Sequence, residues 1–214
     1  MPFNALRSAL TPAKAKVFAL AVVAFAVVAA DGLSALRPAA AGALFEAADL
    51  DQQKFVLVAS PIGDGSRQQL NIYEQVSGRR PCFAMSGSNP AKVDPMLATF
   101  DFTGVCSRYI DANGYSLRIG DTDLATSYRL SVIRKDKDIQ LLAIPTKADA
   151  GPEYLVARTL GDGAGFMQLV FEPGWQLKRR AFAGRKLGHV YVYRDTAAAV
   201  VEIQAPAARP VTRQ

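Results

Sequence analysis

The sequence has few of the residue types that metal sites and hydrolytic active sites require. Its 214 residues include one histidine and two cysteines, too few for a zinc site of cysteine and histidine ligands. A Ser-His-Asp triad would have to use His189, which alternates with valines and is expected on the surface of a strand. The sequence contains neither a Gly-x-Ser-x-Gly segment nor a Walker-type phosphate loop. We therefore predict no catalytic residue, no metal and no cofactor.

Apolar runs long enough to cross a membrane are also missing. The run from Val17 to Ala30 has 14 residues, whereas a membrane-spanning helix needs about 20. Basic residues precede this run and small residues follow it, which is the pattern of a secretory signal peptide. We predict a signal peptide over residues 1–43, cleaved after Ala43 or alternatively after Ala30, so that no membrane span is retained. An uncleaved anchor and a buried helix are the competing interpretations.

The charge balance does not indicate a nucleic-acid partner. The full chain has a net charge of +6, but residues 1–43 hold four of its basic side chains and one of its acidic side chains. The remainder has 21 basic and 18 acidic residues and a net charge of +3. A charge so small does not predict binding to DNA or RNA.

The two cysteines, Cys82 and Cys106, are expected to form a disulfide, as an isolated pair does in an oxidising compartment. The bridge would close a loop of roughly 25 residues and contribute about 3 kcal/mol in the loop-entropy model. A redox-active pair is the alternative, but such pairs are closely spaced, as in Cys-x-x-Cys. The structural bridge fits the spacing better, and it agrees with export.

Two segments about a hundred residues apart resemble each other. Residues 54–75 and 151–173 align at an offset of 98 positions, and each has a strand-like run, a Gly-Asp-Gly turn and a second strand-like run. A weaker match relates residues 114–121 to residues 188–195. We interpret the matches as two related β units, although Gly-Asp-Gly hairpins also recur by chance in β proteins.

The overall pattern predicts an all-β fold, mostly antiparallel and with little helix. About eleven short strands separated by turn residues indicate a β-sandwich or an open barrel. They would form a single domain over residues 44–195, in which the related units cover about 45–121 and 151–195. Residues 196–214 are rich in alanine and proline and are predicted to be a disordered tail.

Several local assignments bear on possible sites. Residues 79–85 and 96–102 have the apolar content of strands, whereas residues 86–95 are rich in turn-forming residues and are predicted to be a loop. Residues 44–53 are expected to form a short turn or one helical turn. Asn113-Gly114 is the strongest two-residue hairpin signal in the chain.

Contiguous motifs carry a resemblance to a known family. They are IGDGSRQQLNIYEQ, RPCFAMSGSNP, FDFTGVCSRYIDANGYSLRIG, EPGW and GHVYVYRD, and the likeness covers about residues 44–195. On these motifs the chain resembles a family of exported cyanobacterial proteins known only as a domain of unknown function. The resemblance implies a cyanobacterial source and export, but no activity, substrate or catalytic residue.

Basic and aromatic residues form one candidate binding site. Arginine and lysine on one surface would attract an anionic polymer, and an exposed aromatic ring could stack on a sugar. Two basic clusters occupy roughly equivalent places in the two halves of the chain. The candidate ligand-binding residues are Arg79, Arg80, Trp175, Lys178, Arg179 and Arg180. The alternative is a solvated strand face with the tryptophan in the core.

Aspartates form another candidate site. Asp101, Asp111, Asp121 and Asp123 cluster in sequence, and a pair of them could serve glycoside hydrolysis or a few could bind calcium. Aspartate is also the commonest residue for capping turns, which is the simpler role. A hydrolase would need at least two of these carboxylates to converge in a cleft.

The residues favour a secreted, non-catalytic β module that binds an acidic extracellular or envelope polysaccharide. Such a module should expose Trp175 or tyrosines beside the basic clusters. One alternative is a polysaccharide-acting hydrolase that uses paired aspartates. Another is an envelope assembly subunit, which would require an exposed apolar patch or strand edge.

Overall fold

Short segments in which apolar and polar residues alternate are joined by glycine-containing turns, and the chain therefore folds almost wholly into strands. The computed structural model describes residues 44–196, so the predicted signal peptide and nearly all of the predicted tail lie outside the described residues. Within that range, helix is limited to two 3-10 turns, Gln52–Lys54 and Met96–Ala98. The strands are β1 (Glu46–Ala48), β2 (Phe55–Ile62), β3 (Arg67–Gln75), β4 (Phe83–Ser86), β5 (Lys92–Pro95), β6 (Cys106–Tyr109), β7 (Tyr115–Ile119), β8 (Thr122–Asp123), β9 (Tyr128–Lys135), β10 (Asp138–Pro145), β11 (Tyr154–Arg158), β12 (Met167–Phe171), β13 (Trp175–Phe182) and β14 (Arg185–Arg194).

Six of these strands close into a barrel. The order is β11-β10-β9-β3-β2-β12, β12 pairs again with β11, and all of these pairs are antiparallel. Successive side chains of a strand point to opposite faces. One face of β2 and β3 therefore places Leu57, Ala59, Leu70 and Ile72 in the main core. The mostly antiparallel β fold predicted from the sequence is confirmed, with the barrel closed.

A second, curled sheet packs on the barrel. Its strand order is β1-β13-β14-β7-β8, with β14 and β7 parallel. Leu177, Val190 and Val192 on one face of this sheet belong to the same buried cluster as the barrel residues. Since side chains alternate along β14, His189 and Tyr191 lie on the opposite face, which is buried as well.

A covering segment, residues 76–105, lies over the outer face of β2 and β3. Val93 and Leu97 of this segment form a second buried cluster with Val58 and Tyr73 of the barrel. The predicted disulfide between Cys82 and Cys106 is present, with an S–S distance of 2.07 Å, and ties the segment to the start of β6. Across residues 44–196, no helix has the length and hydropathy needed to cross a membrane.

Both Gly-Asp-Gly segments join antiparallel neighbours, but the two pairs differ in register. Ala59 of β2 lies opposite Leu70 of β3. If β11 and β12 paired in the same register, the residues 98 positions later, Ala157 and Gln168, would lie opposite each other. In the structure Ala157 lies opposite Phe171, a difference of three residues. The strands of the weaker match, β7 and β14, are parallel neighbours. Internal duplication stays a prediction.

Several local predictions are wrong, because longer-range packing overrides them. Residues 96–102 form no strand. They begin with a 3-10 turn, which places the side chain of Leu97 in the second buried cluster. The predicted loop 86–95 contains β5, and the predicted strand 79–85 is extended only from Phe83. Residues 44–53 hold β1 in addition to the predicted helical turn, which begins at Gln52. Asn113-Gly114 makes no hairpin, because β6 pairs with β3 while β7 pairs with β14, so the chain changes sheets at this turn.

Candidate functional site

The basic residues of β13 form ion pairs with acidic residues from other parts of the chain. Because consecutive side chains of a strand alternate, Arg179 faces the barrel while its two neighbours face the other way. Each of the three cations forms an ion pair: Lys178 with Asp49 at 3.1 Å, Arg179 with Glu74 at 2.7 Å and Arg180 with Asp123 at 2.7 Å. These carboxylates offset the positive charge of the three side chains, so β13 presents less net charge than its sequence suggests.

The aromatic residues expected beside that cluster are not exposed. Trp175 is only 6% exposed and packs edge-on against Tyr154, with ring centroids 6.1 Å apart. Tyr191 and Tyr193 are buried too. The expected exposure of these rings is therefore wrong, because β13 and β14 place them within packed faces. A buried indole offers no platform for a sugar ring.

The other predicted cations, Arg79 and Arg80, lie in the turn that follows β3. Arg79 donates to the carbonyl oxygen of Gly104 at 3.2 Å. The guanidinium of Arg80 lies 5.3 Å from the ring centroid of Phe100. Both side chains thus stabilise the covering segment, and none of the contacts observed within residues 44–196 connects them to β13.

The aspartates cap turns. Each of several carboxylates accepts a hydrogen bond from the backbone N–H two residues ahead: Asp64 from Ser66, Asp101 from Thr103, Asp111 from Asn113 and Asp123 from Ala125. The hydrogen bonds from Ser66 and Thr103 lower the pKa of Asp64 and Asp101 respectively. Over the described range, no group of three or more histidine, cysteine, aspartate or glutamate side chains could hold a metal ion. None of the four clustered aspartates predicted as a possible site lines the cavities described below.

His189 is buried, which corrects the expectation of a strand-surface histidine. Its Nδ1 lies 2.8 Å from the carbonyl oxygen of Asn113, and its Nε2 lies 2.9 Å from Ser116 Oγ. A carbonyl can only accept, so Nδ1 carries the proton and Nε2 accepts from the serine hydroxyl. Burial lowers the pKa of His189, and the charge of Arg180 lowers it further, against the hydrogen bond to Asn113 and the charge of Asp123.

We expect this histidine to make the fold less stable in acid. An unfolded histidine titrates near about pH 6.5, and His189 in the folded chain titrates lower. As the pH falls below that value, the unfolded chain binds the proton first, so the free energy of unfolding falls by at most about 1.4 kcal/mol per pH unit. Urea denaturation between pH 7 and pH 5 should show this slope, and His189→Gln should reduce it. Equal slopes would contradict this account, since the chain has no other histidine.

A cleft of about 680 Å³ opens between the outer face of β2 and β3 and the covering segment. Its lining combines polar strand residues with a few apolar ones from the covering segment and the turn before β12. The polar, basic and aromatic residues of the lining include Ser60, Gln69, Asn71, Tyr73, Lys92, Arg108 and Phe166. None of them was among the residues predicted from the sequence.

One wall of the cleft is a ladder of polar side chains on β3. Gln69, Asn71 and Tyr73 occupy alternate positions and so share one face. Gln69 Nε2 donates to Asn71 Oδ1 at 3.2 Å, and Asn71 Nδ2 donates to Tyr73 Oη at 3.1 Å. Asn71 is 6% exposed and Tyr73 is 3% exposed, so the amide and hydroxyl groups are fixed by their neighbours.

Ser60 adds an unsatisfied group to this wall. It lies opposite Gln69 across the β2–β3 pair and is 1% exposed. Its Oγ has no hydrogen-bond partner among the residues that the structure describes. Leaving a buried hydroxyl unpaired costs about 1–3 kcal/mol. Ser60 therefore adds to the cleft wall a buried hydroxyl without a hydrogen-bond partner in the described part of the chain.

The rim of the cleft carries positive charge. Lys92 on β5 and Arg108 on β6 are exposed, and neither forms an ion pair with a residue in the range 44–196. Asp94 is the one acidic residue in the lining. Phe166 supplies a half-exposed apolar surface. The cleft thus combines amide and hydroxyl groups with exposed positive charge and an aromatic ring.

The comparisons with known proteins identify a family but no function. No curated protein matches the chain, and no solved structure matches it. Residues 20–197 match a family model whose description is "Protein of unknown function (DUF3747)". This match covers most of the chain, including every strand of the barrel and of the curled sheet. The chain therefore belongs to the DUF3747 family of proteins of unknown function.

Proposed function

We propose that the protein is a non-catalytic module that binds an acidic polysaccharide in the cleft between the barrel and the covering segment. The observation that carries this proposal is the buried, unpaired hydroxyl of Ser60 beside the ladder of Gln69, Asn71 and Tyr73. Sugar hydroxyl groups both donate and accept hydrogen bonds, which matches this mixture of amide and hydroxyl groups. A carboxylate or sulfate on the sugar would meet Lys92 and Arg108.

We further propose that the module works outside the cytoplasm of a cyanobacterium. The disulfide is compatible with an oxidising compartment, and residues 1–43 have the pattern of a signal peptide. The cyanobacterial source is implied by the motif resemblance. A binding role accords with the turn-capping hydrogen bonds that Asp101, Asp111 and Asp123 accept.

The test is a titration of residues 44–196 with acidic and neutral exopolysaccharide fractions, measured by calorimetry at low and high salt. We expect binding to the acidic fraction that weakens as salt screens the rim charges. Arg108→Gln should weaken this binding about ten-fold or more, because it removes a charge-assisted hydrogen bond worth about 1.5–3 kcal/mol. Arg185→Gln is the matched control, since Arg185 is an exposed arginine on β14 outside the cleft lining.

Ser60→Ala is a second test variant, and it distinguishes a loss of ligand affinity from a loss of fold stability. It removes an unpaired buried hydroxyl, so we expect the free energy of unfolding to stay equal or to rise by about 1 kcal/mol. Binding should weaken at the same time. Unchanged affinity in both cleft variants would overturn the proposal. Met85 is exposed on β4, which pairs with β5 and is the last strand in that order within residues 44–196, and it would then be the first place to look for a protein partner.

A further inference from the structure

A second cavity of about 530 Å³ lies around the point where β3 meets β9. These two strands of the barrel are joined by a single residue pair, Gln68 with Val132. Beyond this pair, β3 pairs with β6 along residues 72–75 instead. The lining of the cavity comes from the residues on either side of this single pair, Ser66 to Leu70 and Leu130 to Arg134, together with Tyr115.

This cavity also contains a buried polar atom without a partner. Gln68 Oε1 accepts no hydrogen bond from residues 44–196, whereas Gln68 Nε2 donates to the carbonyl oxygen of Gly65 at 3.3 Å. An unpaired amide oxygen favours a ligand that offers an O–H or N–H donor. Tyr115 lines the cavity with a neutral hydroxyl, since burial raises its pKa to about 12, with a smaller contribution from Asp111.

The second cavity has its own exposed cation. Arg67 lines it, is exposed and forms no ion pair within the described part of the chain. Arg134, the other arginine of the lining, pairs with Asp162. The cavity thus offers an acceptor and one free cation, which is the same combination of hydrogen bonding and positive charge as the first cleft.

Gln69 lines both cavities. The two lie along β3, and the distance from Tyr73 in the first to Arg67 in the second is about 20 Å at the usual rise of a strand. A single sugar would fill part of one cavity, whereas an extended chain could contact both. Each cavity has its own unpaired buried oxygen, Ser60 Oγ and Gln68 Oε1.

We infer that the cavity between β3 and β9 is a second subsite, and that the ligand is an anionic oligosaccharide chain that crosses β3 at Gln69. This inference rests on the proposed function of the first cleft. Arg108 and Lys92 would bind acidic groups of one segment of the chain, and Arg67 would bind an acidic group of the next. Affinity should therefore depend on chain length.

Oligogalacturonides of defined length test this inference by calorimetry. We expect an octasaccharide to bind at least ten-fold more tightly than a disaccharide. Arg67→Gln should remove most of that gain and weaken the disaccharide much less than Arg108→Gln does, whereas Arg108→Gln should weaken both ligands. Arg185→Gln should change neither. The neutral cello-oligosaccharides of the same lengths should bind more weakly throughout, because they lack the carboxylates.

The possible failures are distinguishable. If the octasaccharide and the disaccharide bind equally, and Arg67→Gln has no effect on either, the second subsite is refuted while the first cleft stands. If neither oligogalacturonide binds at any length, the acidic ligand class and the second subsite both fail. If Arg67→Gln weakens the disaccharide as strongly as Arg108→Gln does, the two cavities are one site, and the inference is wrong.

Discussion

Glu74→Met is expected to lower the free energy of unfolding by about 3–5 kcal/mol, the usual effect of removing one partner of a buried ion pair. Glu74 on β3 and Arg179 on β13 join the barrel to the curled sheet, and their side chains are 14% and 12% exposed. Tyr109 donates to Glu74 and accepts from Arg179, so the three groups form a closed network. Without the carboxylate, a desolvated guanidinium would remain between the two sheets. Urea denaturation measures the loss.

The double variant Glu74→Met/Arg179→Met is the control for this prediction. It replaces both charges with apolar side chains of similar length, so it should recover most of the stability that the single variant loses. Arg180→Met is a further comparison, because Arg180 pairs with Asp123 on the other face of β13. A loss below about 1 kcal/mol in Glu74→Met would place the pair among weak surface bridges and contradict the packing described here.

Removing the disulfide should both destabilise the fold and open the cleft. Cys82 and Cys106 are 24 residues apart in sequence, and a loop of this size corresponds to about 3 kcal/mol in the loop-entropy model. We expect Cys82→Ala/Cys106→Ala to lose about that much stability. The covering segment carries Lys92 and the rest of one cleft wall, so binding of the acidic ligand should weaken as well.

Two measurements separate these effects. Urea denaturation reports the stability of the whole domain, and calorimetry under folded conditions reports the cleft. Other contacts also hold the covering segment, including the side chain of Gln75, which accepts from the backbone N–H of Cys82 at 2.9 Å. If the double variant kept full affinity while losing stability, the disulfide would serve folding alone, and the covering segment would be held at the cleft by its remaining contacts.

Local sequence patterns were sufficient to predict the fold class. β-branched and aromatic runs alternate with glycine-containing turns, and these features are set by neighbours in sequence. The positive φ angles of Gly63 and Gly65, 59° and 85°, agree with the Gly-Asp-Gly turn. The disulfide was also predictable, because a chain with two cysteines allows one intramolecular pairing.

The site was not predictable, because it depends on contacts between distant segments. The alternation of Gln69, Asn71 and Tyr73 with Leu70 and Ile72 is visible in the sequence and indicates a polar face on β3. Whether that face meets solvent or a cleft depends on residues 76–105, whose strands were partly misassigned. Polar residues at every second position, next to a cysteine-bridged loop, were the signal that could have identified the cleft.

The ion pairs on β13 were not predictable for the same physical reason. Arg179 and Glu74 are 105 residues apart, and Arg180 and Asp123 are 57 residues apart. No local pattern shows that these charges will meet. Trp175 likewise opens a strand that follows a turn, and only the docking of the curled sheet on the barrel buries it. Charge counted along a sequence therefore overstates the free positive charge of the folded surface.

The most direct test of the cleft as the binding site is backbone amide chemical-shift mapping of residues 44–196 during titration with an oligogalacturonide. We predict that the largest shifts will lie at Ser60, at Gln69 to Tyr73 and at Arg108, and that residues 178–180 on β13 will change little. Largest shifts on β13, with the β3 ladder unaffected, would contradict the assignment of the cleft and restore the basic cluster as the binding face.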